Sequence, residues 1–429
     1  MTEVSSIKTK SVGGRKGQFS LPYRAAQNLI LESEAGSQFT EHQRAELPAI
    51  VSHWLQSPED PPILLEASFG KKWRKILLEH CSVVVGESSA VKSATPVHFD
   101  FGGLPFPPTE KPKFTFIDLF AGIGGFRIAL QQLGGKCVFS SEWDRHAKET
   151  YCQNYGEVPF GDITQLSNGV ILTKQFDVLA GGFPCQPFSR AGVSARESLG
   201  QEHGFECPTQ GQLFFDILNI AKIHRPKVLF LENVGNLMRH DGGHTFRVIR
   251  EAITGDLGYH FFSAVYNTNP LVPQSRVRCM IVAWKDAPDI QWQMPELKGE
   301  PLPLKSILES MSPDNPYTLT ERLWEGHIRR SNRNIARGTG FTAHVKDINK
   351  PSTTLVARYY KDGKECLIPQ ENHPKKIPRM LTLRECARLQ GFPETFTPHK
   401  SKVAAYKQFG NAVPVPLVNH VGASIISYL

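Results

Sequence analysis

The chain has 429 residues with 40% hydrophobic and 21% charged content and a formal charge of +8, ordinary for a soluble globular protein of two or three domains. It contains no run of eighteen apolar residues and no apolar stretch behind a basic N-terminal flank, which argues against membrane insertion and secretion and for a cytoplasmic location. Eight scattered cysteines without a Cys-x-x-Cys or His-Glu-x-x-His pattern argue against a metal centre and a disulfide framework.

Residues 1–20 are rich in Ser, Gly, Lys and Arg and read as a mobile arm. Leu47, Ile50, Val51, Trp54 and Leu55 then recur on one helical face, with Thr40 and Gln43 as a capping box and Pro48 delaying or kinking the start. A second helix is expected through Trp73, Ile76 and Leu77. Neither carries a catalytic grouping. Thr95 to Lys113 holds prolines at 96, 105, 107, 108 and 112 and reads as a linker, so residues 1–112 form a small helical extension.

Strands alternating with helices follow, the signature of an α/β domain with a mostly parallel sheet over 113–284. Phe114 to Phe120 is a strand, including Asp118; Ala121-Gly122-Ile123-Gly124-Gly125 is a tight turn; Phe126 to Leu130 opens a helix. Such a turn lets a ligand approach the backbone. The next strand, Lys136 to Ser141, ends on Glu142 about twenty residues past the glycines, where an acid accepts hydrogen bonds from ribose hydroxyls. A third strand end is expected near Gly161-Asp162-Ile163, with Asp162 facing an adenine amine. Helix capping is the competing role for each acid. Together they point to a nucleoside-containing cofactor.

The fourth strand, Phe176 to Ala180, feeds Gly181-Gly182-Phe183-Pro184-Cys185-Gln186-Pro187-Phe188-Ser189. Two prolines restrict the backbone around a thiol placed beyond the carboxyl end of a strand, so Cys185 reads as a nucleophile. Arg190 to Gln212 has little apolar periodicity and reads as a lid. The fifth strand, Lys227 to Leu231, ends on Glu232, whose apolar run-in is expected to desolvate it and make it a proton donor. Alternation puts Gln274, Arg276 and Arg278 on one face as an anion or carbonyl clamp.

From about 285 the alternation fades. Residues 321–380 hold thirteen Lys/Arg against six Asp/Glu, interleaved with Trp324, Tyr359 and Tyr360, the make-up of a polyanion-binding surface. The chain closes with the block 381–393 and with Gln408-Phe409-Gly410-Asn411-Ala412-Val413-Pro414 before an apolar helix.

In this order the pieces resemble the DNA cytosine-5 methyltransferases from about Phe114 to Leu429: the turn at 118–126, Gly182 to Gln186, Glu232-Asn233-Val234, Gln274-x-Arg276-x-Arg278, the 381–393 block and Gly410-Asn411. Ser198-Leu199-Gly200, His203-Gly204-Phe205, Thr209-Gln210-Gly211 and Arg358 to Gly363 are similar to the bacterial Dcm-like, restriction-modification branch reading CC-GG-type sites. Ala412 departs from the serine usual beside the asparagine, which touches only cofactor contacts. The resemblance implies a Rossmann-like domain dependent on S-adenosylmethionine, a target-recognition domain at 285–393, and a segment 394–429 completing the catalytic domain. It implies cofactor contacts from Asp118, Phe120, Gly122, Gly124, Glu142, Trp143, Asp162, Ile163, Pro184, Asn411 and Val413. Catalysis would rest on Cys185, Glu232, Arg276 and Arg278, and DNA contacts on Gln186, Ser189, Thr353, Thr354 and Arg358.

In the implied mechanism a Cys185 thiolate adds to C6 of a flipped-out cytosine, Glu232 protonates or shares a proton with N3, and Arg278 binds O2. The partner is double-stranded DNA, with a cognate restriction endonuclease as a functional rather than bound counterpart and a monomer as the working unit. A tRNA cytosine methyltransferase and a catalytically silent DNA-binding homologue are the competing readings.

Overall fold

The computed structural model describes residues 19–33, 44–58, 71–79, 97–165, 175–184, 213–286, 292–339 and 343–429. Its strands are β1 (Phe19–Pro22), β2 (Val97–Asp100), β3 (Phe114–Leu119), β4 (Gly135–Ser141), β5 (Val178–Gly182), β6 (Val228–Val234), β7 (His260–Asn267), β8 (Gln274–Ser275), β9 (Val277–Trp284) and β10 (Ser352–Thr353). Six of them form one sheet in the order β4-β3-β5-β6-β9-β7. The first four run parallel, and β9 runs antiparallel to both β6 and β7. The carboxyl ends of β3, β4, β5 and β6 and the start of β9 therefore share one edge, the place where such sheets hold their ligands.

The strands are apolar on both faces because both faces are covered. Ile117, Leu119, Phe139, Leu179, Leu229, Leu231 and Ile281 face one core, shared with the helix Leu213–His224 and with Leu21, Ile50, Trp54 and Trp73 of the N-terminal extension. Phe116, Val178, Ala180, Val228, Phe230, Met280 and Val282 face the other, shared with the helices Gly125–Gln132 and Val415–Ile426. The helix Leu383–Leu389 also buries Cys386, Ala387 and Leu389 in that second core. Leu319, Leu367 and Ile377, packed with Leu323, Trp324 and Met380, form a separate small core under the basic region.

Several local expectations are modified. Pro48 sits in the first turn of the helix Leu47–Gln56, where its missing N–H is not needed, so it starts the helix rather than kinking it. Residues 71–79 are helical, as the Trp73 pattern requires. The linker contains β2, which pairs in parallel with β1 (Phe19–Pro22), so Phe19 and Ser20 at the end of the expected arm are strand. The strand expected at Gly161 is only an isolated pairing of Phe160 with Ser141, followed by a turn of 3-10 helix over Ile163–Gln165. β6 runs on through Val234 because β9 pairs with it as far as Arg278. Residues 1–18, the Thr40 and Gln43 cap and the 190–212 loop lie outside the described residues. No helix among the described residues is long and apolar enough to cross a membrane.

A buried polar set joins the extension to the sheet. Arg127, 0% exposed, donates to Glu157 at 3.0 Å and to Gln56 at 3.1 Å, and also to Gln131. Glu157 accepts from Ser140 at 2.6 Å, while the Ser140 N–H donates to His53 Nε2 at 3.1 Å. Burial alone would raise the Glu157 carboxyl, but the Arg127 charge and the Ser140 hydroxyl hold it below its usual range. Removing one member of a buried ion pair strands the other charge. Arg127→Met is therefore expected to cost about 3–5 kcal/mol, measured as a lower denaturant midpoint; a loss under about 1 kcal/mol would contradict this reading of the network.

Candidate active site

The turn after β3 is shaped by backbone conformations that side chains disfavour. Gly122 and Gly124 have φ of 54° and 84°, and Phe120, a non-glycine residue, is held at 54°. A residue held there costs about 1–3 kcal/mol and is typical of ligand sites. A Cβ on Gly124 would lie 2.3 Å from the Tyr155 hydroxyl, and one on Gly125 would lie 2.6 Å from Val413 Cγ1, so the C-terminal segment closes against this turn. Over Gly122 the nearest atom to such a Cβ is Phe120 O at 4.0 Å, which leaves space beside the backbone.

Glu142 follows β4 at the same edge. It accepts the Gly122 N–H at 2.8 Å and the Asp144 N–H at 2.7 Å, one on each oxygen. Burial raises its carboxyl and these two donors oppose the rise. Each oxygen keeps a lone pair for a further donor. Trp143 beside it is 75% exposed, an apolar plate facing solvent. Asp162 is exposed and holds its own turn by accepting the Thr164 N–H at 2.9 Å. Asn411 is exposed, and Val413 and Pro184 are half-buried. Two expected residues have different surroundings. Asp118 is buried, accepts the Tyr151 hydroxyl at 3.3 Å, and is raised well above the carboxylate range by burial, so it supports the turn from inside the core. The Ile163 side chain is likewise core, leaving only its backbone for a ligand. The remaining set fits an adenosine-containing cofactor: carboxylate acceptors for hydroxyls and an amine, an exposed indole for the ring, and open backbone at Gly122.

One edge step away, the register of β5, β6 and β9 assembles a second group. Gly182 pairs with Glu232, and Val234 pairs with Arg278. The Glu232 carboxylate reaches Arg278 Nε at 2.7 Å and lies 3.1 Å from where a Gly182 Cβ would be. Glycine at 182 is what admits that carboxylate. Glu232 is half-buried against a guanidinium rather than enclosed by apolar groups, which replaces the desolvated setting expected for it. Asn233, on the opposite face of β6, donates to Phe183 O at 2.9 Å and accepts the Val234 N–H at 2.8 Å. It thereby fixes the backbone that enters Pro184. Its signal in the sequence is a lone amide inside an apolar strand, which needs a buried partner. Cys185, Gln186 and Ser189 lie outside the described residues; Cys185 follows Pro184 directly in the chain.

The clamp expected from Gln274, Arg276 and Arg278 divides in two. Arg276 is 1% exposed and donates to Leu355 O at 2.9 Å, Gly410 O at 3.0 Å and Ala412 O at 2.8 Å. Burial pulls its pKa down to about 9, with Arg278 adding repulsion, which still leaves it charged at neutral pH. Its guanidinium is committed to three carbonyls, so Arg276 ties chain segments together and is not placed as a catalytic group. Gln274 does similar work, donating to Leu389 O at 3.0 Å and accepting the Leu355 N–H at 2.7 Å. β8 pairs with β10, and the Thr354 hydroxyl donates to Ser275 O at 2.7 Å, which brings Thr353 and Thr354 beside this strand.

In the basic region the helix Glu321–Ala336 exposes Arg322, Arg329, Arg330 and Arg333, and Arg358 is exposed 3.8 Å from Glu365. Tyr360 is 37% exposed, but Tyr359 is buried, with its hydroxyl bonded to Cys366 O and Leu381 N–H, so it belongs to the core rather than to a binding face. His146, Glu149 and His399 place ligand-type atoms within 4.8 Å of one another. His399 Nδ1 accepts the Ser401 N–H at 3.0 Å, which puts the ring proton on Nε2, bonded to Glu149 at 3.0 Å; that tautomer suits a hydrogen bond rather than a metal.

The model of the C-5 cytosine-specific DNA methylase family matches residues 114–427. Type II methyltransferase M.DsaV of Dactylococcopsis salina is 43% identical over 75% of this chain and 88% of its own length. Type II methyltransferase M.HpaII of Haemophilus parainfluenzae is 38% identical over 75% and 92%. The DNA-cytosine methyltransferase of Escherichia coli K12 is 38% identical over 73% and 78%. Among solved structures, the S. pombe Dnmt2 methyltransferase shares the fold with a TM-score of 0.56 at 18% identity, over 73% of this chain and 98% of that one. The sheet edge that gathers Glu142, Glu232 and Arg278 thus lies inside the matched segment, and the chain belongs to the C-5 cytosine-specific DNA methylase family.

Proposed function

We propose that Cys185, Glu232 and Arg278 act together on a cytosine flipped out of a CC-GG-type site in duplex DNA. The enzyme is a DNA (cytosine-5)-methyltransferase with S-adenosylmethionine as methyl donor. When bound, that cofactor supplies an electrophilic methyl group.

The reading rests chiefly on the 2.7 Å Glu232–Arg278 pair, set opposite Gly182 and three residues before Cys185. N3 and O2 are neighbouring acceptors on a cytosine ring, so a carboxyl and a guanidinium already in contact match them as a pair. Cytosine C5 is a weak nucleophile. Addition of the Cys185 thiolate to C6 forms a C–S bond, moves the C5–C6 electron pair onto C5, and is balanced by a proton that Glu232 takes up from solvent as the base enters and shares with N3. Arg278 holds O2 and offsets charge developing there. After methylation a base takes the C5 proton, the C5–H bond pair re-forms the C5–C6 double bond, Sγ leaves with the C6–S pair, and N3 gives its proton back to Glu232. A free thiol ionises at about pH 8.5, so a cationic setting would favour the Cys185 thiolate. Asn233 holds the Phe183 carbonyl and with it the approach to Cys185. Glu142, Trp143, Asp162, Asn411 and the Gly122 backbone would hold the cofactor.

The base is out of reach inside a duplex and must be extruded, at a cost of about a few kcal/mol. The exposed arginines of Glu321–Ala336 supply phosphate contacts, and Arg358, only loosely held by Glu365, suits a guanine edge. Assignment to CC-GG-type sites is supported by the Arg358 to Gly363 and 198–211 motifs, and the type II relatives support a role beside a cognate endonuclease. Bisulfite sequencing of DNA from an expressing host should show methylation at such sites, and a consistent map to another sequence would overturn the assignment. In competition, labelled methyl should enter duplex DNA; preference for tRNA would overturn the choice of substrate.

A further inference from the structure

Residues 1–113 lie outside the family-matched segment, and the reaction gives them no role. We propose that Glu46, in this extension, is a positioning residue for the adenosine end of S-adenosylmethionine. The inference rests on the reading of Asp162 as an adenine contact.

β4 is an edge strand, and an edge leaves a row of backbone donors and acceptors unpaired. Here the vacant side is filled in two ways. Phe160 pairs with the strand end, donating to Ser140 O at 2.9 Å and accepting the Glu142 N–H at 2.8 Å. Side chains of the extension accept from Ser140 in β4 and from the segment 158–161 that lies beside the strand end. His53 Nε2 takes the Ser140 N–H at 3.1 Å, and Ser52 Oγ takes the Val158 N–H at 3.0 Å. Glu46 takes the Gly161 N–H with both carboxylate oxygens, each at 3.2 Å.

Glu46 stands at the end of this series next to Asp162. The residue it holds immediately precedes Asp162, and the fit is mutual: a Cβ on Gly161 would lie 2.5 Å from Glu46 Oε1. The turn carrying Asp162 and Ile163 is thus suspended between the end of β4, which carries Glu142, and a carboxylate from outside the family domain. A charged acceptor on a backbone N–H is among the stronger hydrogen bonds. Without it, the turn keeps its pairing to Ser140 and Glu142 and the Ser141 hydroxyl on Gly161 O at 3.0 Å, but loses its tie to the extension, so Asp162 is held from the β4 side alone.

The test measures S-adenosylmethionine binding by calorimetry and steady-state kinetics on the full chain. Glu46→Ala should raise Kd and KM for the cofactor about five- to twentyfold with kcat within about twofold, the pattern of lost uniform binding. Glu46→Gln, whose amide oxygen accepts the same N–H, should return to within about threefold of wild type. Ser52→Ala removes an acceptor from the same interface but away from the turn; it should lower the thermal midpoint and leave Kd within about twofold. Unchanged Kd in Glu46→Ala beside weakened binding in Asp162→Ala would overturn the inference and leave the adenosine reading standing. Unchanged Kd in Asp162→Ala would overturn that reading and the inference with it. A loss in Ser52→Ala equal to that in Glu46→Ala would make Glu46 merely structural and also overturn the proposal.

Discussion

Cys185→Ser should reduce methyl transfer to background, a loss of at least about 10⁴-fold in kcat of the size seen when a covalent nucleophile is removed. A serine hydroxyl stays protonated at neutral pH and adds poorly to C6, whereas a thiol delivers a thiolate. The change is one atom, so affinity for S-adenosylmethionine and for duplex DNA should stay within a few-fold of wild type. Filter-binding and calorimetry alongside the labelled-methyl assay separate the two effects. Substantial turnover in the variant would overturn covalent catalysis by Cys185.

Glu232→Gln should lower kcat by about 10²–10⁴-fold, the usual contribution of a positioned proton donor. Glutamine keeps the volume beside Gly182 and an oxygen for Arg278, so the thermal midpoint should change little. It has no proton to exchange with N3, and addition at C6 then builds negative charge in the ring without relief. Because the loss falls on the chemical step, KM for DNA should move less than kcat. A kcat within about tenfold of wild type would show that N3 protonation does not limit the reaction.

Much of this site was legible in the sequence because short-range signals carried it. A strand, a glycine turn and a helix in succession pointed to this sheet edge, and the spacing past the glycines pointed to Glu142 as an acid beside it; that Glu142 accepts the Gly122 N–H at 2.8 Å is visible only in the fold. Strand alternation placed Arg276 and Arg278 on one face, but it carries no information about what that face meets. The acceptors of Arg276 are Leu355, Gly410 and Ala412, 79 to 136 residues away in the chain, and they turn an expected catalytic arginine into a tie. Tyr359 and Tyr360 look alike in the sequence, yet packing under Leu381 buries the first and leaves the second outside. The N-terminal extension was read as helices without chemistry, which holds for each residue taken alone. His53 gains its role only against the free Ser140 N–H of the edge strand β4, and Gln56, Ser52 and Glu46 only against Arg127, Val158 and Gly161, all far from them in the sequence. The same applies to the linker, where β2 becomes a strand by pairing with β1.

The most direct test of the central claim is covalent capture. A duplex carrying 5-fluorocytosine at the target position cannot lose a C5 proton, so a thiolate added to C6 has no route of release once C5 is methylated. With S-adenosylmethionine present, wild-type enzyme should form a denaturant-stable complex with this DNA, and peptide mass mapping should place the adduct on Cys185. A complex that fails to form with an enzyme active on ordinary duplex, or an adduct mapped to another residue, would contradict the account.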